Sequence, residues 1–184
     1  PNMKAPPMTA KSGAKPKRTI LFIGFAGEEF GLLGAQAWVK AHKDKLPKIA
    51  NLFNRDGGPE PPVGISVPQA MYDDFVKISE PIQKIRPDYP FEVKVREPRK
   101  RPTRMGGTDA SVFAIEGVPT LGFTTEDFKG YDFDYGEIWH TERDLYTKNI
   151  PEYQEHTATV TAIIALGVAN LDKQLSREGL YTEE

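Results

Sequence analysis

The sequence of 184 residues contains no cysteine. Disulfide bonds and thiolate chemistry are therefore excluded, and any metal site must use histidine, aspartate or glutamate as ligands. Only three histidines are present, so imidazole ligands are scarce. The lack of cysteine leaves the cellular compartment open, because proteins of oxidising compartments also exist without it.

The sequence also lacks a long apolar run and a strong excess of one charge. No run approaches the roughly 18 apolar residues of a membrane helix. The formal net charge is -2, and acids and bases are interspersed, which gives no broad surface for nucleic acid or an anionic membrane. The basic run at residues 96–104 contains Glu97 and two prolines. It predicts a solvated loop, with a substrate-facing role as the alternative.

Short apolar runs alternate along the chain with segments of helical periodicity. The runs that predict strands are residues 18–25, 49–54, 90–96 and 118–123. The segments that predict helices are residues 32–43, 68–85, 108–116 and 151–175, whereas residues 125–146 predict a loop. Residues 18–25 indicate a buried strand of the parallel-sheet type. The alternation indicates an α/β sandwich around a largely parallel sheet.

The chain divides into three parts on composition. Residues 1–17 are rich in proline, lysine and small residues, and we expect them to be the end of a helix followed by a linker. Residues 18–175 form the main domain, and residues 176–184 form a tail. Hydrophobic residues make up 39% of the sequence, which is typical of a globular domain with a sizeable core.

Ionisable side chains follow several of the predicted strands. Glu28 and Glu29 come after the first strand, Asp56 after the second, and His140 lies in the loop after the last. Asp109 begins the short helix predicted at residues 108–116. Because ligands of open α/β sheets bind outside the carboxyl ends of the strands, these side chains are candidates for one site.

Each candidate also has an ordinary structural explanation. A glutamate pair at a helix start interacts favourably with the helix dipole, an aspartate before two glycines forms turns, and a histidine in a loop needs no ligand. Together, however, the residues supply oxygen and nitrogen donors for zinc. A neighbouring unligated carboxylate then serves as the base that accepts a proton from water. His42 and His156 lie within predicted helices and are expected on the surface.

The segment around the glutamate pair carries a family resemblance. Residues 25–34 (FAGEEFGLLG) resemble the Glu-Glu signature of the co-catalytic zinc aminopeptidases and glutamate carboxypeptidases, the superfamily that includes the glutaminyl cyclases. Asp56 stands at the strand end where that family places an aspartate ligand. Residues 107–113 (GTDASVF) resemble its Ser/Thr-Asp helix start, and residues 139–144 (WHTERD) resemble its His-Thr-x-x-Asp motif.

The resemblance implies a fold and a role for each candidate. The fold is a three-layer α/β/α sandwich around a mostly parallel mixed sheet, with amino-terminal strands outside this sequence. Glu28 is the catalytic base, and Glu29, Asp56 and His140 are zinc ligands. Asp109 orients the ligands, and its Thr-Asp context is closest to the plasma glutamate carboxypeptidase-like branch. The glutaminyl cyclase branch fits less well.

The family site holds two zinc ions and needs two further ligands, a histidine and a bridging aspartate. Both come from segments before the Glu-Glu motif, and this sequence has no histidine, aspartate or glutamate before Glu28. We therefore expect this chain alone to bind zinc weakly or not at all and to be inactive. We also expect its incomplete sheet to expose an edge or an apolar face, so that the chain either associates with a second copy or leaves its first eighteen residues poorly packed.

These observations predict a zinc-dependent exopeptidase, an aminopeptidase or a dipeptidase or carboxypeptidase, represented by an incomplete site. The alternative is a metal-free binding domain of the same fold without catalytic activity. The expected partner is a peptide substrate, whereas nucleic acid and membranes are not expected. By resemblance the protein is secreted or periplasmic. Substrate preference, the physiological metal and the recognised chain end stay open.

Overall fold

Three strands form one sheet in the computed structural model, which describes residues 13–182. They are β1 (Pro62–Val67), β2 (Glu92–Val95) and β3 (Phe123–Thr125), in the spatial order β2-β1-β3. Strand β1 pairs in parallel with β2 and antiparallel with β3. The sheet is therefore mixed. Most of the helix end predicted within residues 1–17 lies outside the described residues.

Five α-helices surround the sheet within the described part of the chain. They are α1 (Leu33–Ala41), α2 (Tyr72–Ile85), α3 (Ala110–Ile115), α4 (Tyr135–Ile138) and α5 (Pro151–Asn170). Short 3₁₀ turns lie at Lys43–Lys48, Gln69–Met71 and Tyr146–Lys148. All four predicted helices are confirmed. None of the helices in residues 13–182 has the length and apolarity needed to cross a membrane.

The larger apolar core lies between the sheet and helices α2 and α5. Met71, Phe75 and Ile82, which recur at helical spacing in the sequence, are all fully buried. From α5, Val160 and Ile164 pack against them. Burial of each large apolar side chain stabilises the fold by about 1.5–3 kcal/mol, so this face holds α2 and α5 on the sheet.

A second core lies on the other side of the extended segment 49–53. Helices α1 and α3 pack together there around Val39 and Phe113. Along the segment, Ile49 and Leu52 contact this second core, whereas Ala50 and Phe53 contact the first. The segment thus has a helical layer on each side, as the three-layer expectation requires.

The strands predicted at residues 49–54 and 118–123 are largely wrong: residues 49–54 form an extended segment without a strand, and of residues 118–123 only Phe123 lies in one. Leu52 N–H donates to the Pro119 carbonyl (2.9 Å). The Asn51 side-chain amide then accepts from Leu121 N–H (2.8 Å) and donates to the Leu121 carbonyl (3.2 Å). The asparagine side chain therefore takes the place of a backbone ladder. Proline at position 119 has no N–H to donate, and β3 begins only at Phe123.

The prediction that residues 18–25 form a strand buried on both faces is wrong. This segment makes a single β-bridge at Phe22, and none of its residues is fully buried. Leu21 and Ile23 are 47% and 36% exposed, whereas Ile20 and Phe22 are half-buried. Alternating exposure is typical of an extended segment with one covered face. Within residues 13–182 nothing covers the other face.

Strand β1 is the central strand, yet the sequence did not indicate it. Proline pairs are typical of turns, and β1 begins at Pro62, the second residue of such a pair. Helix α5 also ends earlier than expected, at Asn170 instead of residue 175. Arg18 donates from its backbone to the Ala169 carbonyl (3.1 Å) and from its side chain to the Leu171 carbonyl (2.5 Å). These bonds satisfy carbonyls at the helix end.

The surface positions expected for His156 and His42 are wrong. His156 is completely buried, stacks on Tyr89 with ring centroids 3.9 Å apart, and donates from Nε2 to the Pro62 carbonyl (3.0 Å). His42 is half-buried and stacks on Trp38 (4.4 Å). Tyr89 and Pro62 cover His156 from distant segments, which periodicity alone does not reveal, whereas His42 packs on Trp38 of the helix that it follows.

Candidate active site

Glu28 and Glu29 lie on a tight turn that precedes helix α1. The Glu28 carbonyl accepts hydrogen bonds from Gly31 N–H (3.0 Å) and Leu32 N–H (2.8 Å). A Cβ at Gly34 would lie 2.7 Å from the backbone N and O of Ala26, so only glycine allows α1 to approach the turn this closely. The first turn of α1 contains no acidic residue. The helix dipole therefore does not explain the glutamate pair.

Asp56 lies in the loop that connects residues 49–54 to β1. Arg55 closes this loop, because its Nη2 donates to the carbonyls of Gly58 and Glu60, the latter at 2.7 Å. Among residues 13–182, the Asp56 carboxylate accepts no hydrogen bond, so its side chain does not form the turn. Partial desolvation by this loop lowers the pKa of the Arg55 guanidinium.

His140 follows the short helix α4. Asp134 begins that helix by accepting from Gly136 N–H (2.8 Å), and Thr141 Oγ1 donates back to the Glu137 carbonyl (2.8 Å). His140 has a φ of 57°, in the left-handed region that non-glycine residues seldom occupy. Its Nε2 lies 2.9 Å from Oε1 of Glu29. This strained position thus joins two residues that are far apart in the sequence.

Asp109 stands at the start of α3 and is only 7% exposed. Its Oδ1 has no hydrogen-bond partner among residues 13–182. Burial raises the pKa of its carboxyl group, and the negative charge of Asp56 raises it further. Beside it, Thr108 Oγ1 accepts from Asn54 Nδ2 (2.6 Å), which ties this turn to the segment that leads to Asp56.

The five candidates lie close enough to influence one another electrostatically. Desolvation raises the pKa of Glu28, and the charges of Glu29, Asp56 and Asp109 raise it further, whereas His140 lowers it. The structure therefore brings together side chains from four separate segments. The register explains part of this convergence, because Pro62 pairs with Thr125. The loop before β1 and the loop after β3 consequently leave the sheet at the same end.

Comparison with known proteins decides the family. The family model described as peptidase family M28 matches residues 5–164. The chain belongs to peptidase family M28. This confirms the resemblance to co-catalytic zinc metallopeptidases that the sequence motifs indicated, and it covers most of the 184 residues.

Individual relatives in the family agree with this assignment. Carboxypeptidase Q of Mus musculus is 24% identical over 170 residues, which covers 90% of this chain and 32% of that protein. A probable zinc metalloprotease of Pyrenophora tritici-repentis is 50% identical over 42 residues, 23% of this chain and 10% of that one. The chain thus spans about a third of the length of carboxypeptidase Q.

A solved structure shows the same fold. The crystal structure of a peptidase M28 precursor from Shewanella amazonensis SB2B matches with a TM-score of 0.66 and 26% identity. The match covers 88% of this chain and 34% of that chain. The mixed α/β fold expected from the sequence is therefore confirmed.

The zinc of M28 peptidases requires several oxygen and nitrogen donors. Glu29 and His140 supply one of each side by side, and Asp56 lies within electrostatic reach of Glu28. No group of three metal-ligating side chains is assembled within residues 13–182. These side chains are therefore of the chemical types that bind zinc. Their placement within residues 13–182 provides one adjacent pair of donors, Glu29 and His140.

Phe123, Tyr131 and Trp139 are aromatic residues of the chain segment that leads to His140. Phe123 stacks on Phe53 (5.6 Å) in the larger core, and Tyr131 packs edge-on against Tyr153 (5.2 Å). Both therefore serve packing. Trp139, beside His140, is 58% exposed.

Sequence reasoning missed two contacts that support the site. These are the Arg55 bonds that close the Asp56 loop and the bond between Asn54 and Thr108. Arg55 stands directly before Asp56, and Asn54 before Arg55, but an arginine or asparagine in a loop carries no specific sequence signal. Only the fold shows which carbonyl or hydroxyl each side chain meets.

Proposed function

We propose that the protein is a zinc-dependent exopeptidase that hydrolyses terminal peptide bonds. The observation that carries this proposal is the convergence of Glu28, with a raised pKa, on the adjacent pair of Glu29 and His140. Its substrates are peptides. Aminopeptidase and dipeptidase or carboxypeptidase specificities are both compatible with this arrangement.

Glu28 acts as the general base in this proposal. Its carboxylate accepts a proton from the attacking water and passes it to the leaving amine. A raised pKa of Glu28 favours the first step, because a more basic carboxylate takes up the proton of water more readily. The charges of Glu29, Asp56 and Asp109 favour proton uptake by Glu28, because they raise its pKa.

Glu29 and His140 hold the metal, and Asp56 contributes a further carboxylate ligand. When bound, zinc supplies a Lewis acid that acidifies water and polarises the peptide carbonyl. Asp109 is buried and lies within electrostatic reach of Glu28 and Asp56, and we assign it the role of orienting the ligands.

We further propose that the 184-residue chain by itself holds zinc weakly and has little activity. The usual catalytic zinc site has three protein ligands, whereas one adjacent donor pair is assembled within residues 13–182. The carboxylates of Glu28, Glu29 and Asp56 also repel one another without a cation. The two further ligands of the family scheme, a histidine and an aspartate, have no counterpart before Glu28.

The test measures bound zinc and hydrolysis of aminoacyl and dipeptide substrates. Both are measured for this chain and for the longest chain that its gene encodes. In the longer chain, Glu28→Gln is expected to reduce kcat by about 10²–10⁴-fold while the zinc content stays the same. The control is Glu142→Gln, an exposed glutamate close to His140 in the chain, which should behave like the wild type.

Two results would contradict the proposal. A longest chain that is metal-free and inactive would exclude the peptidase, and full activity of Glu28→Gln would exclude Glu28 as the base. Separately, strong hydrolysis by the 184-residue chain would contradict its proposed incompleteness without affecting the assignment of the base.

Two further parts of the proposal concern location and assembly. By resemblance, we propose that the protein is secreted or periplasmic, and detection of the tagged protein only in the cytoplasm would exclude this. We also propose that the chain associates with a second copy, supported by the exposed apolar side chains of Leu21 and Ile23. A monomeric mass in light scattering at high concentration would contradict self-association.

A further inference from the structure

Two loops that carry candidate ligands touch each other at Gly58. We name them the Asp56 loop (residues 54–60) and the His140 loop (residues 126–140). A Cβ placed on Gly58 would lie 2.7 Å from Cε1 and Cζ of Phe133. The aromatic ring therefore lies directly on the backbone of the Asp56 loop, two residues after Asp56.

Asp127 holds Phe133 in this position through the backbone of the His140 loop. Its Oδ2 accepts from Phe133 N–H (3.3 Å), and its Oδ1 accepts from Tyr131 N–H (3.0 Å). The Asp127 carbonyl also accepts from Gly130 N–H (3.1 Å). One carboxylate thus shapes the loop between residue 127 and residue 133.

Tyr153 anchors Asp127 to helix α5. Its hydroxyl donates to Asp127 Oδ1 (2.5 Å) and accepts from Lys129 N–H (3.0 Å). Tyr153 is completely buried, so the anchor point is part of the rigid core. The Tyr153 hydroxyl, followed by the backbone donors, lowers the pKa of Asp127. The carboxylate is therefore ionised at neutral pH and accepts strong hydrogen bonds.

We propose that Asp127 is a positioning residue that sets the separation between Asp56 and the Glu29–His140 pair by holding Phe133 against Gly58. This role rests on the proposed function, because it matters only if Asp56 and His140 act at one site. Asp127 itself does not contact the candidate ligands. It acts through the core, the loop backbone and one aromatic contact.

The test uses Asp127→Asn, which keeps the shape of the side chain but replaces one acceptor oxygen with a donor. The matched control is Asp132→Asn in the same loop. Asp132 is exposed and has a φ of 58°, a conformation that asparagine tolerates. Both variants lose one negative charge, so their difference isolates the hydrogen bonds of Asp127.

The first readout is nuclear magnetic resonance of the 184-residue chain, which needs neither metal nor activity. In Asp127→Asn, amide exchange at Tyr131 and Phe133 should accelerate by about tenfold, as expected for the loss of one hydrogen bond. The contact between the Phe133 ring and Gly58 should weaken, and the amide signals of Asp56 and His140 should shift. Asp132→Asn should leave all of these unchanged.

The second arm displaces the ring without altering Asp127. Gly58→Ala should shift the Asp56 and His140 signals in the same way, whereas Gly122→Ala, whose added Cβ meets nothing within 4 Å, should not. Unchanged signals at Asp56 and His140 in both Asp127→Asn and Gly58→Ala would overturn the positioning role.

Kinetics of the longest chain then separate this role from the proposed function. A positioning defect should lower kcat for Asp127→Asn by at least about tenfold with little change in KM, and Asp127→Glu should restore part of it. If the longest chain is inactive as wild type, the proposed function is contradicted. The role of Asp127 is then still decided by the spectroscopic result. Equal kcat for Asp127→Asn and Asp132→Asn would overturn the role even if the spectra change.

Discussion

The site residues Glu28, Glu29 and Asp56 hold like charges close together, whereas the residues around Tyr89 pair each charge with an opposite one. We name the first group, with Asp109 and His140, the site cluster. The second, the Tyr89 cluster, consists of Tyr89, Lys129, Glu152, Tyr153 and His156. Both combine acidic and basic groups from distant segments, but their electrostatics are opposite.

The Tyr89 cluster satisfies its members. Lys129 Nζ lies 3.0 Å from Glu152 Oε1, and the Tyr89 hydroxyl donates to the same oxygen (3.2 Å). The ammonium group also lies 4.6 Å from the centre of the Tyr89 ring. The hydrogen bond with Glu152 raises the pKa of Lys129, and that with Lys129 lowers the pKa of Glu152. Both partners therefore favour their charged forms.

The site cluster does the reverse. Burial and neighbouring negative charges raise the pKa of Glu28 and of Asp109, so the fold disfavours their charged forms. Like charges held together without a counter-ion destabilise a fold, and such arrangements concentrate at functional sites. We conclude that the Tyr89 cluster contributes stability and that the site cluster reduces it.

The largest expected effect tests the stabilising role of the Tyr89 cluster. Tyr89 is 1% exposed and lies between His156 and Phe128. Tyr89→Ala should reduce the free energy of unfolding by about 3–5 kcal/mol, as for other buried aromatic side chains. The measurement is urea unfolding followed by circular dichroism. Tyr146→Ala, at a residue that is 91% exposed, should change the free energy of unfolding by less than about 0.5 kcal/mol. Equal losses of stability in the two variants would contradict the stabilising role of the Tyr89 cluster.

A smaller effect concerns the pH dependence of stability through His156. Its Nε2 must donate to the Pro62 carbonyl, and its Nδ1 is buried without a partner among residues 13–182. Burial lowers the pKa of the imidazole, and the charges of Arg86 and Lys129 lower it further, although Asp88 and the Pro62 hydrogen bond oppose this. The native state therefore binds a proton less readily than the unfolded chain.

The stability associated with His156 is complete above the unfolded pKa of about 6.5. It is lost as the pH falls from there toward the lower pKa of the folded state. In His156→Gln, which cannot titrate, the unfolding free energy should change less between pH 7 and pH 5 than in the wild type. Parallel pH profiles in urea unfolding would show that His156 titrates equally in both states.

The smallest expected effect tests whether the site cluster lowers the stability of the fold. Because the pKa of Asp109 is raised, its contribution to stability declines as the pH rises above about 3.9, the value in an unfolded chain. Asp109→Asn removes the buried charge, so its melting temperature should be equal to or higher than that of the wild type at pH 7. The difference in melting temperature should vanish near pH 4. A melting temperature of Asp109→Asn markedly below that of the wild type at pH 7 would contradict the destabilising effect that we assign to the site cluster.

Helices and site location were the parts most accessible from sequence. The spacing of Met71, Phe75 and Ile82 predicted α2, and the structure buries all three. The placement of Glu28, Asp56 and His140 after predicted strands anticipated that they would meet. Local periodicity and position relative to strand ends are encoded over a few residues each, so a single sequence carries them.

Strand pairing was less accessible. Residues 49–54 depend on the Asn51 side chain instead of a ladder, and β1 follows a proline pair. Whether an apolar run becomes a strand depends on the partner that approaches it, and that partner lies far away in the sequence. The same reason hides the burial of His156, which depends on Tyr89 and Pro62.

The sequence by itself determined the helices, the M28 motifs and the donor types available for zinc, because these depend on residue identity and short-range spacing. Tertiary structure alone decided that His140 contacts Glu29, that Asp109 is buried without a partner, and that Phe133 lies on Gly58. These contacts join segments many residues apart. They arise only when the packing of the sheet and the helices brings those segments to the same place.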